Sequence, residues 1–397
     1  MKVMLIEPLG DGGISHYTFN LANALAREKM TISLFTAVNY EFPPSACLFS
    51  LHRAMFPLTH RLVRRFPSLA TEYGVKNYVR KAMKLLEYPL GVAEALSYAR
   101  RNRIDIVHIQ TIHDVELLMI LAFRVSGWKI CLTIHNVRPR HSEPVFLQRL
   151  IYRWMCSLCH RVIIHSRKAM EEAIALYRVP KEKITVLPHG NYAFFVKEST
   201  KRTAREAKEA LGIPHRNKAV LFFGAIRPNK GLDVLLRAMS KITERMPNIT
   251  LLIIGEPCED YRRYRSLIEA LALRGHIIEK LGYVPNDDIP IYFEAADLVA
   301  LPYKEVTQSG VLQLAYAFSK PVVATRTGGF EETVESGKNG YLVPSNDVTA
   351  LASAIEAILS DDGRRESMGR QSRLLCETEY SWDAIARKTR ALYASIG

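Results

Sequence analysis

The stretch LPYKEVTQSGVLQLAYAFSKPVVATRTGGFEE, residues 301–332, is the most informative part of the chain for both the fold and the kind of site. It reads as an apolar strand, a loop with one acid (Glu305), a helix that begins at Ser309 and Gly310, and a second apolar strand. The first N–H groups of a helix have no partner within the helix, so they favour an anionic ligand. Small residues there let a phosphate approach closely. The stretch predicts a site for a phosphorylated small molecule beside a carboxylate.

Short apolar strands alternate with amphipathic helices on both sides of this stretch. Strands are predicted at residues 2–8, 31–37, 105–110, 129–135, 161–165, 184–188, 219–224, 250–255, 277–282, 298–302, 321–325 and 340–343, and helices at 14–27, 115–125, 146–159, 232–245, 261–273 and 310–318. Continuous apolar strands of this kind are typical of parallel sheets covered on both faces. We predict an α/β fold of two doubly wound, Rossmann-like domains that face each other across a ligand-binding cleft.

The length of 397 residues is more than one ordinary core needs and fits two domains of similar size. We predict an N-terminal domain at residues 1–195 and a C-terminal domain at residues 196–380. The polar stretch at residues 197–208 is typical of a linker that runs into a helix. A basic, aromatic block at about residues 40–103 interrupts the strand and helix pattern, and we interpret it as a helical insertion in the first domain.

The net charge of +14 is concentrated in the first half of the chain. Residues 1–200 hold 27 basic and 15 acidic residues, and residues 50–104 hold 11 and 3. This concentration favours an anionic partner, such as phospholipid, nucleic acid or a phosphorylated substrate, over a solvated face that only aids solubility. Phe56, Phe66 and Tyr88 lie among the cations, so helices that cover the cleft or lie on a membrane surface are one interpretation, and ordinary helix packing is the other.

The cellular location of the chain and the redox state of its cysteines are predicted from sequence features that are absent. No apolar run reaches the roughly 20 residues that span a bilayer, and the N-terminus reads as a strand, not as a secretory signal. The six cysteines have no framework spacing, which indicates reduced thiols in the cytoplasm. Cys156, Cys159 and His160 have the spacing of a haem attachment site, but they lie on an amphipathic helix and are better explained as core residues.

Three further positions are candidates for the site. The glycine-rich turn GDGGISH, residues 10–16, leads into a helix and could cradle a diphosphate, although such turns often contain glycine for structural reasons. Arg227 and Lys230 follow a strand and could neutralise the same diphosphate, or could be solvated surface charges. His135 ends a strand and could bind a sugar hydroxyl or move a proton, whereas His108 lies within an apolar run and reads as a buried structural residue.

Other ligands are not expected. Ser15 replaces the third glycine of the G-x-G-x-x-G pattern and no acid ends the second strand, so a nicotinamide dinucleotide is not predicted. There is no aspartate pair of the D-x-D kind and no set of histidines and cysteines with ligand spacing, so we predict no metal and no cofactor.

Several segments, taken in order, resemble the retaining glycosyltransferases of family 4, of the bacterial surface-polysaccharide type. They are the glycine pair of the first loop, LTIHN, VLPHG, GAIRPNKG, ADLVALPY, SGVLQLAYAFSKPVVAT and GGFEETVESGKNGYLV. The resemblance covers nearly the whole chain and is most specific between Asp297 and Val343. It implies the GT-B fold and a final helix, residues 381–397, that crosses back to the first domain.

The resemblance also implies a role for each candidate. Glu305 would contact the donor sugar and His135 would lie at the reacting face. The remaining positions would bind the nucleotide diphosphate, through the glycine pair, the two cations, the nucleobase loop and the amides at the helix start: Gly12, Gly13, Arg227, Lys230, Tyr283, Val284, Ser309, Gly310 and Val311.

One position departs from the family pattern. The second glutamate of the family's paired-glutamate motif is expected eight residues after Glu305, where this chain has Gln313. In the family this glutamate accepts hydrogen bonds from the ribose. Glutamine keeps an acceptor oxygen but has no charge, and neutral hydrogen bonds contribute about 1 kcal/mol against about 1.5–3 for charged ones. We expect weaker donor binding or a changed nucleotide preference, with activity retained.

The function implied is a metal-independent, retaining transfer of a hexosyl or N-acetylhexosaminyl group from a nucleotide-diphosphate sugar to an acceptor hydroxyl. The basic first half favours a lipid-linked or polysaccharide glycan as the acceptor, at the cytoplasmic face of an anionic membrane. A nucleotide-sugar epimerase and a non-catalytic nucleotide-sugar-binding relative are the alternatives. Nucleic acid is not expected as a partner, because no recognition motif accompanies the charge.

Overall fold

The structure, a computed structural model, describes residues 1–66, 75–138, 146–198, 202–306 and 308–396. The chain divides into two compact units. Unit 1 consists of Met1–Gly190 together with Trp382–Gly397, and unit 2 of Asn191–Ser381. The final segment of the chain therefore belongs to the first unit.

In the described part of unit 1, seven parallel strands form one sheet in the order β3-β2-β1-β4-β5-β6-β7. They are β1 (Lys2–Glu7), β2 (Thr31–Ala37), β3 (Ser50–Met55), β4 (Ile106–Ile109), β5 (Lys129–Ile134), β6 (Arg161–Ile164) and β7 (Ile184–Val186). Their central members are buried along almost their whole length, as strands covered on both faces must be. The strand order reverses between β1 and β4, and ligands of such sheets bind beyond the strand ends at that point.

Helices cover both faces of this sheet. They are α1 (Gly12–Arg27), α2 (Pro57–Arg65), α3 (Val75–Asn102), α4 (Glu116–Val125), α5 (Phe146–Leu158) and α6 (Arg167–Tyr177), and the last helix of the chain, α16, spans Trp382–Ala394. Apolar residues of α3 to α6 share one core with the sheet, whereas those of α1 and α16 share another. Two separate cores show that the sheet has a helical layer on each side.

Unit 2 repeats the architecture with six parallel strands among its described residues, in the order β10-β9-β8-β11-β12-β13. The strands are β8 (Lys218–Phe223), β9 (Ile249–Gly255), β10 (Ile277–Leu281), β11 (Leu298–Leu301), β12 (Val322–Thr325) and β13 (Gly340–Val343). The helices are α7 (Phe194–Glu198), α8 (Ala204–Ala210), α9 (Leu232–Arg245), α10 (Arg262–Ala270), α11 (Ile289–Ala295), α12 (Gly310–Ala317), α13 (Phe330–Thr333), α14 (Val348–Leu359) and α15 (Asp362–Glu377). Its order reverses between β8 and β11.

The predicted strands and helices are confirmed, with ends that differ by at most three residues. The prediction for the basic block is wrong in one respect, because Ser50–Met55 forms the edge strand β3. Its sequence, SLHRAM, contains His52 and Arg53, and an edge strand is exposed enough to carry them. Residues 67–74 of the same block lie outside the described residues. Cys156 and Cys159 are buried in the core, which confirms their interpretation as core residues.

His108 joins the last helix to the sheet of unit 1. It is fully buried on β4, with Nδ1 2.5 Å from the Tyr393 hydroxyl of α16 and Nε2 2.7 Å from Oγ1 of Thr133 on β5. Both ring nitrogens have partners, so the prediction of a buried structural histidine is confirmed. Burial, with a smaller effect of His165, lowers the pKa of His108 to about 3, and the ring is therefore neutral near pH 7.

The depressed pKa makes a prediction about stability. The unfolded imidazole binds a proton below pH 6.5, whereas the folded one stays neutral down to about pH 3. The free energy of unfolding of the native chain should therefore fall relative to that of His108→Gln, by about 1.4 kcal/mol for each pH unit between about 6 and 4. Urea unfolding followed by tryptophan fluorescence measures this, since Trp128, Trp154 and Trp382 all belong to unit 1. A difference that is equal at pH 7 and pH 5 would contradict it.

Candidate functional site

Two loops at the carboxyl ends of β8 and β11 are tied together in unit 2. The Lys304 N–H donates to the Asn229 carbonyl oxygen at 2.7 Å, and the Asn229 amide donates to the Glu305 carbonyl oxygen at 3.4 Å. These strands are neighbours in the sheet, and the strand order reverses between them. The loop that carries Arg227 and Lys230 is therefore held against the loop that carries Glu305.

Gly231 makes this contact possible. Its φ is +69°, and a Cβ added there would lie 1.9 Å from the carbonyl oxygen of Pro302. The left-handed conformation favours glycine, and the close approach excludes every larger residue. A second close approach occurs in the loop after β12, where a Cβ on Gly328 would lie 1.6 Å from the carbonyl oxygen of Val306.

The two cations differ in how they are held. The Lys230 ammonium lies 3.7 Å from the ring centroid of Tyr303, which is buried at the end of β11. This cation–π contact keeps the charge beside the β11 loop. Arg227 caps the short helical turn before Gly231 and is exposed, so its guanidinium is available to a ligand.

The first turn of α12 begins beside the same loop. The Ser309 hydroxyl accepts from the Leu312 N–H at 3.4 Å, which caps the helix. The amides of Gly310 and Val311 are left without a bond inside the helix, as at any helix start. A Cβ on Gly224, the residue that follows β8, would lie 3.5 Å from Cγ2 of Val311. Both loops and the helix start thus meet at one edge of the sheet.

The two polar residues of the paired motif are placed differently. The Glu305 side chain is exposed, whereas Gln313 on α12 is only 2% exposed. Within the described part of the chain, Oε1 of Gln313 has no hydrogen-bond partner. A buried acceptor without a partner is costly, so this oxygen is suited to a donor group that a ligand brings.

The predicted nucleobase loop follows the edge strand β10. Tyr283 is 73% exposed, and Val284 is partly buried in the core of the unit. Their strand lies two places from β8, on the same carboxyl edge of the sheet.

In unit 1, Glu7 organises the glycine-rich loop. Its buried carboxylate accepts from the N–H groups of Leu9 at 2.8 Å and Gly10 at 3.0 Å, and from the Ser15 hydroxyl at 2.9 Å. Burial raises the pKa of Glu7 above its usual value, while these hydrogen bonds oppose the rise. Gly12 and Gly13 follow in the first turn of α1, where a Cβ would meet nothing within 4 Å, so there is open space beside them. The Gly12 N–H donates to the Glu41 carboxylate.

His135 ends a chain of hydrogen bonds between histidines. Nδ1 of His165 lies 3.0 Å from the Leu187 carbonyl oxygen and must carry the proton, so its Nε2 accepts from Nδ1–H of His135, also at 3.0 Å. Nε2 of His135 is then an unprotonated acceptor, and among the described residues it has no partner. The Tyr17 ring of α1 packs edge-on against His135 at 4.7 Å.

These histidines are neutral. Burial, followed by the neighbouring His189, lowers the pKa of His165 to about 3. Burial and the rings of His165, His189 and His108 lower the pKa of His135 well below its usual value. A neutral His135 can accept a hydrogen bond at Nε2 across the physiological pH range.

The structure thus brings together Arg227, Lys230, Glu305, Ser309, Gly310 and Val311 in unit 2. Glu7, His165 and His189 were missed by sequence reasoning. The sequence held one signal for each kind of residue. Glu7 is an acid at the end of an apolar strand, and the two histidines follow predicted strands. No cluster of three or more possible metal ligands occurs among the described residues. None of the described helices is both long and apolar enough to cross a membrane.

Comparison with known proteins identifies the class that this fold defines. Residues 203–392 match the family described as Glycosyl transferases group 1, and residues 11–190 match Glycosyltransferase Family 4. The solved structure of HepE from Anabaena, in complex with UDP-glucose, is similar with a TM-score of 0.74 and 18% identity, over 100% of each chain. The fold is that of the GT-B glycosyltransferases, as predicted.

Two curated relatives are D-inositol 3-phosphate glycosyltransferases. That of Corynebacterium efficiens is 30% identical over 97% of this chain and 91% of the relative. That of Corynebacterium urealyticum is 33% identical over 64% of this chain and 61% of the relative. The chain therefore belongs to glycosyltransferase family 4, and the prediction that it is a glycosyltransferase is confirmed.

The loop contact at Gly231 makes a prediction with a matched control. Gly212 has nearly the same φ, +70°, but a Cβ there would meet nothing within 4 Å. Gly212→Ala should cost only the backbone strain, about 1–2 kcal/mol. Gly231→Ala adds a clash with Pro302 and should cost clearly more, with the β8 and β11 loops displaced. Calorimetric unfolding of both variants tests this, and equal losses would contradict a contact that requires glycine.

Proposed function

We propose that the chain transfers a sugar from a nucleotide-diphosphate sugar to an acceptor hydroxyl, with retention of configuration and without a metal. The observation that carries the proposal is the tied pair of loops in unit 2. They hold the loop of Arg227 and Lys230 against the loop of Glu305, and Gly224, at the start of the first loop, lies next to Val311 in the first turn of α12. Two cations and helix-start amides suit a diphosphate.

In this mechanism the diphosphate is the leaving group. As the bond to the sugar breaks, negative charge grows on the phosphate oxygen, and donors already in position stabilise it without reorganisation. Arg227, Lys230 and the amides of Gly310 and Val311 perform this role. The Lys230 ammonium is already held by Tyr303, so little side-chain freedom is lost when the donor binds. Fixed cations can supply the charge stabilisation that a metal supplies elsewhere.

Glu305 and Gln313 bind the hydroxyl groups of the donor. The exposed carboxylate of Glu305 accepts hydrogen bonds from the sugar, and the unpartnered Oε1 of Gln313 accepts from the ribose. Tyr283 and Val284 hold the nucleobase, for which the exposed ring of Tyr283 offers a stacking surface.

Gly12 and Gly13 bind the diphosphate through their backbone, and His135 accepts a hydrogen bond from a sugar hydroxyl at Nε2. The tautomer set by His165 supports this role for His135. No side chain is assigned as a covalent nucleophile. The acceptor hydroxyl attacks from the face that the phosphate leaves, which gives retention.

The relatives and the charge support a choice of donor and acceptor to test. HepE is in complex with UDP-glucose, so a UDP-hexose is the first donor to test. A lipid-linked or polysaccharide glycan at the cytoplasmic face of an anionic membrane suits the basic first half of the chain. D-inositol 3-phosphate, from the name of the curated relatives, is a second acceptor to test.

Two other functions are distinguished by simple measurements. A nucleotide-sugar epimerase would convert the donor without any acceptor, so product analysis of that mixture separates it. The presence of Gln313 in place of glutamate leaves a non-catalytic binding protein as the second alternative. Such a protein would bind the donor in calorimetry but would transfer the sugar to none of the acceptors.

Nucleotide diphosphates should stabilise unit 2. A ligand present at 100 times its Kd adds about 2.7 kcal/mol to the free energy of unfolding. A thermal-shift screen of UDP, GDP and ADP and their sugars should therefore raise the melting temperature for one base, with UDP expected first. A screen in which no nucleotide diphosphate shifts the melting temperature would contradict the proposed donor class.

Glu305→Ala should reduce transfer by about 100-fold or more, because a contact with the reacting sugar is lost at the transition state. The side chain is exposed, so the fold should be unaffected. Glu366→Ala, an exposed acid on α15 of the same unit, is the matched control. Turnover of Glu305→Ala close to that of the control would remove Glu305 from the site.

Gln313→Glu should keep or tighten donor binding, because a carboxylate makes charge-assisted bonds to the ribose. In the ligand-free protein the same change places a charge at a buried position, so it should lower the melting temperature. Calorimetric titration with the donor and thermal unfolding measure the two effects. Complete loss of binding would show that glutamine is required.

A further inference from the structure

The amide of Gly12, one of the two glycines assigned to the donor diphosphate, already has an anionic partner within unit 1. Its N–H donates to the carboxylate of Glu41, which lies in the loop after β2. The N–H of Glu41 in turn donates to the Gly10 carbonyl oxygen at 2.9 Å, so Glu41 and the glycine-rich loop are fixed side by side. The hydrogen bond that a phosphate would accept is thus taken by a side chain of the same unit.

The Glu41 carboxylate is poorly compensated. Among the described residues its one ion-pair partner is His16 of α1, with Nε2 3.7 Å from Oε2 of Glu41. Burial lowers the pKa of His16 to about 4, so its ring is neutral near pH 7. Burial, followed by the charge of Asp11, raises the pKa of Glu41 to about 7, although the Gly12 bond opposes the rise. Glu7 of β1 adds to the repulsion.

The cations of the neighbouring elements bind elsewhere. The Arg53 guanidinium of β3 donates to the carbonyl oxygens of Tyr40 at 3.3 Å and Phe42 at 2.7 Å, on either side of Glu41 in the chain. The Lys84 ammonium of α3 lies 4.8 Å from the centre of an aromatic ring. Burial raises the pKa of the Tyr40 hydroxyl further above neutral pH, so this neighbour carries no charge. No described cation other than a protonated His16 would pair with Glu41.

The backbone of Glu41 is held firmly, whereas its side chain is not. Arg53 and the Gly10 carbonyl fix the backbone from two sides. The side chain is 25% exposed and has solvent beside it. To leave the Gly12 amide, the carboxylate needs only to rotate about its side-chain bonds, and the loop can stay in place. Its departure would also relieve the repulsion from Asp11.

We propose that the Glu41 carboxylate occupies the Gly12 amide in the donor-free protein and must give it up to the donor diphosphate, so that Glu41 opposes donor binding. One N–H cannot bind two anions at full strength, and the charges of carboxylate and diphosphate repel each other. The inference rests on the proposed function, since it requires a diphosphate at Gly12. To that function it adds a residue that regulates the same site.

Calorimetric titration of the full chain with UDP, GDP and ADP tests the proposal. At about pH 8 the nucleotide that binds should bind Glu41→Gln about 10-fold more tightly than the native chain, because a repelling charge is removed. Glu41→Ala also frees the amide and should bind at least as tightly. Glu182→Gln is the matched control, because Glu182 is exposed in the turn before β7, at the opposite edge of the sheet, and this variant should bind as the native chain does.

The difference between native chain and variant should depend on pH. Glu41 is ionised above its pKa of about 7 and protonated below it, so its opposition is present at high pH and lost as the pH falls. The 10-fold gap between native chain and Glu41→Gln should therefore shrink to less than about 2-fold at about pH 6. The phosphates of the nucleotide titrate equally for both proteins, so the ratio of the two Kd values reports Glu41 alone.

Two further measurements separate the charge effect from a structural one. The nucleoside without phosphates should bind the native chain and Glu41→Gln equally. The melting temperature of ligand-free Glu41→Gln at about pH 8 should equal or exceed that of the native chain, because a poorly compensated charge is removed. Tighter binding of the nucleoside, or a lower melting temperature, would contradict the proposal.

The binding results also have outcomes that overturn the inference. Equal nucleotide binding by the native chain and both Glu41 variants would overturn it while leaving the proposed donor class intact. Binding by none of the proteins would overturn the proposed donor class as well. Titrations with magnesium and with EDTA test the opposite role, in which Glu41 helps to hold a cation on the diphosphate. Weaker binding by Glu41→Gln in magnesium would show that role and refute the one proposed.

Discussion

The contact between the loops that follow β8 and β11 is the constraint on which the candidate site depends. It exists because Gly231 has no side chain at a point where the carbonyl of Pro302 occupies the space. The hydrogen bonds of Asn229 then set the distance between the loops, and Lys230 lies over Tyr303 as a consequence. The absence of a side chain at Gly231 therefore determines where the Lys230 ammonium lies in unit 2.

Unit 1 buries polar groups that are satisfied by hydrogen bonds within the unit. The four hydrogen bonds to Glu7, from Leu9, Gly10, Ser15 and Thr36, satisfy a carboxylate that burial would otherwise favour in its neutral form. The chain from Leu187 through His165 to His135 fixes which nitrogen of each ring carries the proton. Both arrangements fix local geometry at the carboxyl ends of strands. The first positions the loop that leads to the glycine pair, and the second leaves Nε2 of His135 as a buried acceptor without a partner among the described residues.

Much of the fold could be predicted because its signals are local. Continuous apolar strands such as ITLLIIG at Ile249–Gly255 have one physical interpretation in a soluble α/β protein. The helix start at Ser309 was predicted from small residues that follow an apolar strand. The strand β3 was missed since its exposure depends on its place at the sheet edge, which the sequence does not state.

The contacts of the site were harder to predict because they join residues that are far apart in the sequence. His135 and His165 are 30 residues apart, and Asn229 and Glu305 are 76 apart, so each contact exists only in the folded chain. The sequence indicated that Arg227 and Lys230 follow a strand. It could not indicate that Tyr303 holds one of them while the other stays exposed.

The return of α16 to unit 1 affects how the chain is made. Residues 1–190 leave the ribosome first, but Tyr393, the partner of His108, is added only after the whole of unit 2. Until then the α1 face of the sheet lacks the helix that shares its core. The nascent unit 1 therefore cannot complete its folding and keeps apolar surface exposed until α16 is synthesised. Unit 2 is continuous in the chain and needs no later segment to fold. Chaperone binding during translation would be concentrated on the N-terminal half.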